Sequence, residues 1–215
     1  MILRSLIDLF RIRSQDKVRP YLWPDDELAP WFSEAEKEAA IRSRLIHDSE
    51  EFTVKTGETT VDLPGSLFDI QYAELRYGDG TAREITGTDR QTLNSSRPGW
   101  RTKVEPPVDY IHDDKALVFG AVADADCTLY LEFYRIPREA LEGDDDAPEI
   151  SENHHMNLVD WVLFRAYSKP DPDTQNPGKA EDAEGRFIAY FGARPDADLR
   201  RRQNANRPHR NRIHL

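Results

Sequence analysis

Apolar positions recur at helical spacing through the opening run MILRSLIDLFRI, with Arg4, Asp8 and Arg11 set inside the pattern. This predicts an amphipathic helix over 1–12 that docks by one face. Pro20 and Pro24 interrupt any helix beyond it, and Asp25-Asp26-Glu27 supplies the acid that suits a helix N-terminus. Leu28, Trp31, Phe32, Ala35, Ala39, Ile41 and Leu45 then mark one face of a long helix ending near Asp48. Its start lies either before Pro30, which falls in the first turns, or at the capping pattern Ser33-x-x-Glu36.

The hydrophobic period changes to two at Glu51. Residues 52–55 and 59–64 around Gly57-Glu58 read as one hairpin, and 70–77 with 82–85 around Gly78-Asp79-Gly80 as another. Further strands are expected at 110–112, 116–119 and 128–134, with a short helix or loop over 88–96. The segment 51–137 is therefore an antiparallel β domain of roughly six to eight strands, a sandwich or small barrel. Pro137 closes it, and 142–148 (EGDDDAP) reads as an acidic linker too polar and too short to pack. Ser151 is a natural N-cap for a helix with His155, Leu158, Val159, Val162 and Ala166 on its apolar face, widened by Trp161 and Phe164. Pro170, Pro172 and Pro177 make 169–178 an extended connection, and a last helix runs over 179–191 with Gly192 as its cap.

The expected fold class is α+β. A helical bundle packs the long N-terminal helix with two C-terminal helices, and the β domain is inserted between them. The divisions are 1–19, an N-terminal amphipathic segment; 20–50 with 149–193, the helical domain; 51–137, the β domain; 138–148, the linker; and 194–215, an extended basic arm. Alone, that arm buries too little area to offset its ordering entropy.

Composition changes the picture in two places. The chain has 215 residues and a formal net charge of -11, and no run approaches the roughly 18 apolar residues of a membrane span. The N-terminal run lacks a small-residue cleavage site and makes a poor signal peptide. The charge is uneven: +3 over 1–19, -19 over 20–193 and +5 over 194–215. The single cysteine, Cys127, excludes an intramolecular disulfide and any cysteine metal cluster, and its place in a strand predicts a buried, inert thiol.

Catalytic patterns are thin. Adjacent His154 and His155 project about 100 degrees apart on a helix, so one is expected to pack and the other to be solvated. Asp144-Asp145-Asp146 lacks the glycine turn and terminal glutamate of a calcium loop and reads as solvated linker. Trp23, Trp31, Trp100 and Trp161 are scattered and read as core anchors. With no glycine-rich phosphate loop, nucleophile elbow or His-Glu-x-x-His, neither enzymatic activity, cofactor nor metal is expected. The salient group is Arg200, Arg201, Arg202, Arg207, Arg210 and Arg212 in the arm. These arginines suit either phosphates or the carboxylates and carbonyls of a protein partner. Ile213 and Leu215 lean toward the protein, because an apolar anchor is useless to a phosphate-tracking tail.

The order of local patterns resembles one family. Trp23-Pro24-Asp25-Asp26-Glu27-Leu28 leads into a helix with Glu34-Ala35-x-x-Glu38. Trp100 and a Pro pair precede Val108-Asp109-Tyr110, and the strand at 128–134 closes in Arg135-Ile136-Pro137. Asp144-Asp145-Asp146-Ala147-Pro148-Glu149-Ile150 precedes a helix at 155–167, and a final helix ends over 187–192. Over about 20–192 this is similar to the head-to-tail adaptor (connector, head-completion) proteins of tailed bacteriophages. The resemblance implies a structural virion protein of the neck, made in the host cytoplasm. It further implies a dodecameric ring under the portal protein, in contact with tail or neck proteins, with double-stranded DNA passing through it without sequence-specific binding, no membrane, and the arm docked on the portal. A closing ring needs two different faces on each subunit, and an acidic wall lets DNA slide. The alternative is a nucleic-acid-binding accessory protein acting through the Arg-rich arm. A carbohydrate-binding or hydrolytic β module is a third reading, one that would need an aromatic groove and paired carboxylates.

Overall fold

The computed structural model describes residues 1–195. Within them the protein is α+β, with elements in the order α1 (Leu3–Ser14), α2 (Asp25–Ser43), β1 (His47–Val54), β2 (Thr60–Asp62), β3 (Leu67–Tyr77), β4 (Ala82–Glu84), β5 (Thr86–Gly87), α3 (Arg90–Ser96), β6 (Asp109–Asp113), β7 (Ala116–Phe119), β8 (Cys127–Arg135), α4 (Glu152–Ser168) and α5 (Pro177–Phe191). They form two compact units. A helical unit combines Met1–Ile46 with Arg135–Arg194, and a β unit is built on His47–Tyr134.

In the helical unit, four helices feed one core. α1 contributes Leu3, Leu6, Ile7 and Phe10; α2 Leu28, Phe32, Ala35 and Ala39; α4 Leu158, Val159, Val162 and Ala166; α5 Ala180, Ala183, Phe187 and Phe191. Each large side chain in that set is worth roughly 1.5–3 kcal/mol of burial. α2 begins at Asp25, directly after Pro24, and carries Pro30 inside it. Ser33 is not its cap; its hydroxyl instead accepts the Leu141 N–H at 2.8 Å. The helix also stops earlier than the expected end near Asp48. Arg44 turns left-handed (φ 51°) with its N–H on Ala40 O, and strand begins at His47. Leu45 and Ile46 continue the apolar rhythm but belong to the turn.

The acidic segment expected as a linker is exposed over 142–147 and is tied down by hydrogen bonds. The Asp146 carboxylate accepts the N–H groups of Glu142 and Gly143, and these bonds hold its pKa below the usual carboxylate range. The carbonyls of Asp146 and Asp144 accept the N–H groups of Leu3 and Arg4 at 2.7 and 3.0 Å. Two of the donors that every helix N-terminus leaves unpaired are thereby satisfied at α1. Leu141 and Ile150 anchor either side of the loop in the core. Ser151 precedes α4 but makes no capping bond, and α5 starts at Pro177, with the Asn176 side chain accepting the Lys179 N–H. Gly192 (φ 88°) ends α5 with its N–H on Ile188 O.

The β unit holds two four-stranded sheets, ordered β1-β8-β3-β4 and β2-β7-β6-β5, which do not close into a barrel. β3–β4 is the antiparallel hairpin expected around Gly78-Asp79-Gly80, and the strands expected at 110–112 and 116–119 pair antiparallel as β6–β7. The hairpin expected from 52–55 and 59–64 does not exist. β1 pairs with β8, whereas β2 pairs with β7 in the other sheet. The crossing is fixed at the turn: Asp126 accepts the Thr56 N–H and hydroxyl, Gly57 donates to Ala123 O, and Ala123 donates to Glu58 O. β8 shows strict alternation, burying Cys127, Leu129, Leu131 and Phe133 in a core that also takes Leu75 and Val54 and, from the other sheet, Val61, Leu117 and Phe119. Gly120 lies so near β6 that an added Cβ would meet Asp109 O at 3.1 Å. α3 settles the 88–96 segment as a helix, capped by Asp89 accepting the Thr92 N–H.

Candidate functional site

The arm residues expected to dock, Arg200, Arg201, Arg202, Arg207, Arg210, Arg212, Ile213 and Leu215, lie outside the described residues. What the structure does bring together is a set of charged groups that fixes two loops of the helical unit.

The first loop joins α1 to α2. Arg11 stands four residues after Ile7, on the buried face of α1, and its side chain is only 7% exposed. Its guanidinium meets Asp16 and Asp25 at 2.5 Å each and lies 3.8 Å from the Tyr21 ring centroid. Asp16, equally buried, also accepts the N–H groups of Leu22 and Trp23. Trp23 is pinned by edge contacts to Phe10 and Tyr167 and by its indole N–H on Ala166 O at 3.3 Å. Removing two charges from water costs several kcal/mol each, which only this number of matched bonds offsets. Val18 and Leu22 on the loop so fixed are 77% and 53% exposed beside exposed Lys17 and Arg19, and Ile12 in the last turn of α1 is 56% exposed.

The second loop runs from β8 to α4. Arg135 forks onto both carboxylate oxygens of Glu149 and holds that carboxyl below its ordinary pKa. Glu36 on α2, 1% exposed, accepts the N–H groups of Glu149 and Ile150. Burial nevertheless outweighs those bonds and pushes the Glu36 carboxyl upward. Beside it opens a cavity of about 430 Å³ lined by Glu36, Arg138, Glu139, Ala140, Leu141 and Ala147, among others. Glu139, Glu142, Asp144 and Asp145 stand exposed along its loop. Buried His155 places Nε2 2.8 Å from Ile150 O, and because a carbonyl only accepts, that nitrogen carries the proton. His154 is half-buried against Tyr190.

Chemistry of a catalytic kind is not assembled among the described residues. Cys127 is buried and its thiol is pushed up by burial. No group of three metal-capable side chains converges among them. A cavity of about 440 Å³ in the β unit is lined by Phe68, Ile70, Tyr110 and His112 with the Arg90–Asp113 ion pair at its rim. Burial raises the Tyr110 pKa and lowers that of His112.

Sequence reasoning missed the Arg11–Asp16–Asp25 and Arg135–Glu149 pairs and buried Glu36. A signal existed for Arg11, a charge on the apolar stripe of its own helix. None existed for its partners, which are found only once the loop has folded. A family model described as SU10 adaptor protein matches residues 1–212. No curated protein matches the chain.

Proposed function

Because the chain belongs to the SU10 adaptor protein family, a family of bacteriophage head-to-tail adaptors, we propose that it assembles as a dodecameric ring beneath the portal, joining head to tail and forming part of the DNA channel. The observation that carries this reading is the reach of the family match, which spans both units and continues to residue 212 in the arm. Adaptor families of this kind are structural, and their place is the neck of the virion. We read the two sheets as a β-sandwich inserted into a helical bundle. The -19 charge of 20–193 suits a conduit, since a wall that repels phosphates lets the duplex slide.

The arm is the portal contact in this reading. Arg200, Arg201, Arg202, Arg207, Arg210 and Arg212 fork onto carboxylates and carbonyls of the portal, and Ile213 and Leu215 anchor in apolar pockets. Repetition around the ring supplies an avidity that a single arm lacks. Deleting the residues after Arg194 tests the idea: portal binding and DNA-retaining heads are expected to be lost, and undiminished assembly would sink it. The density of arginine in the arm keeps one rival, a nucleic-acid-binding accessory protein. A salt titration of DNA affinity separates the two, since a steep slope that disappears with the arm belongs to the rival.

A further inference from the structure

α1 separates two unlike surfaces of the helical unit. Its N-terminus is held by the carbonyls of Asp144 and Asp146, so the acidic loop with exposed Glu139, Glu142, Asp144 and Asp145 lies at that end. Its C-terminus runs into the connector of exposed Ile12, Lys17, Val18, Arg19 and Leu22. Twelve helical residues place the two about 18 Å apart. From 12 to 22 the only acid is Asp16, which is buried and committed to Arg11. The connector therefore offers water nothing but apolar, basic and neutral groups. Three large apolar side chains more than half exposed within eleven residues, Ile12 in the last turn of α1 and Val18 and Leu22 on the fixed loop after it, mark an interaction surface.

The acidic loop matches it in kind. Its Glu139 and Asp146 line the cavity of about 430 Å³ together with Ala140, Leu141 and Ala147 and with Arg138, so an apolar side chain can seat there beside exposed Glu142, Asp144 and Asp145. The two surfaces are distinct, lie at opposite ends of one helix and carry opposite charge, which is what a heterologous, ring-closing contact requires. We infer that the connector of one copy docks on the acidic loop of the next copy of this chain, with Val18 and Leu22 entering the cavity and Lys17 and Arg19 facing Asp144 and Asp145. The inference rests on the ring reading and names its subunit contact.

The test uses the full chain assembled on purified portal, in a Cys127→Ala background. Lys17→Cys combined with Asp144→Cys is expected to give a ladder of linked subunits with a short bismaleimide, and either change alone is expected to give none. Independently, Lys17→Glu with Arg19→Glu should weaken assembly by about tenfold or more, because it sets like charges against each other. Adding Asp144→Lys and Asp145→Lys should restore it to within about twofold. All these side chains are exposed, and an unchanged melting temperature shows that the fold is intact. Absence of the ladder, an equal ladder from the single variants, or failure of the second reversal to restore assembly overturns the inference. If the portal still collects a ring that gives no ladder, the adaptor reading stands and only this contact falls. If no ring forms at all, both fall.

Discussion

The two units solve the same problem by different means. Of the nine buried polar or charged residues among those described, eight (Arg11, Asp16, Glu36, Glu38, Arg135, His155, Asp160 and Thr174) belong to the helical unit and only Asp69 to the β unit. In the β unit, charges pair on the surface, as in Lys55–Asp126, Arg76–Glu51 and Arg90–Asp113. Strand ladders and alternation already specify where a β residue goes, so its charges are free to remain in water. Helices specify only a face, and the loops between them need another device. Here that device is a buried carboxylate with backbone N–H groups on it, Asp16 within the first loop and Glu36 reaching the second from α2.

The contrast can be broken from either side. The largest effect is expected from Phe133→Ala in β8, where a fully buried ring leaves a cavity in the β core; about 3–5 kcal/mol should be lost, read by denaturant unfolding. Asp16→Ala should cost about 3 kcal/mol in the helical unit, because Arg11 loses a buried partner and Leu22 and Trp23 lose their acceptor. Faster amide exchange across 15–24, with the β unit unchanged, would show that the effect is local. Glu36→Gln should act through pH. The raised carboxyl binds its proton in the folded state at pH values where the unfolded chain has released it, so folding stability falls as pH rises from the ordinary glutamate range through the raised value. Glutamine still accepts the Glu149 and Ile150 N–H groups and should abolish that fall in a melting series. The smallest effect belongs to Arg90→Ala, which removes an exposed ion pair worth at most about 1 kcal/mol. A loss as large as that of Asp16→Ala would erase the distinction between the units.

Local patterns were legible where local contacts decide. The β3–β4 hairpin follows from alternation on either side of a tight turn, β6 and β7 from short apolar runs, and the apolar faces of α2, α4 and α5 from helical spacing. The β1–β2 hairpin misled because its turn looks ordinary. The strand partners are set instead by Asp126 and Ala123, which lie some 70 residues downstream in sequence. The 142–148 segment has a role its composition does not show. Its polarity predicts solvation, and 142–147 is exposed, but the backbone carbonyls of Asp144 and Asp146 also cap a helix about 140 residues upstream. The loop-fixing set shares this non-local character: Arg11 was visible as a charge on an apolar stripe, whereas Glu36 looked like part of a capping box.

The interrupted connectivity of the helical unit sets a timetable for the nascent chain. Its two segments are completed about 150 residues of synthesis apart, roughly 7–30 s at 5–20 residues per second, and for most of that interval the apolar faces of α1 and α2 lack α4 and α5. The insertion, complete well before then, brings the severed ends together: its first and last residues, His47 and Tyr134, are paired, and Arg135 N–H reaches Ile46 O at 3.0 Å. Once β1 and β8 are zipped, the late helices no longer meet the entropy of closing a loop of nearly 90 residues. The β unit is thus a folding clasp for the helices, and slowing its closure should prolong the aggregation-prone stage of synthesis.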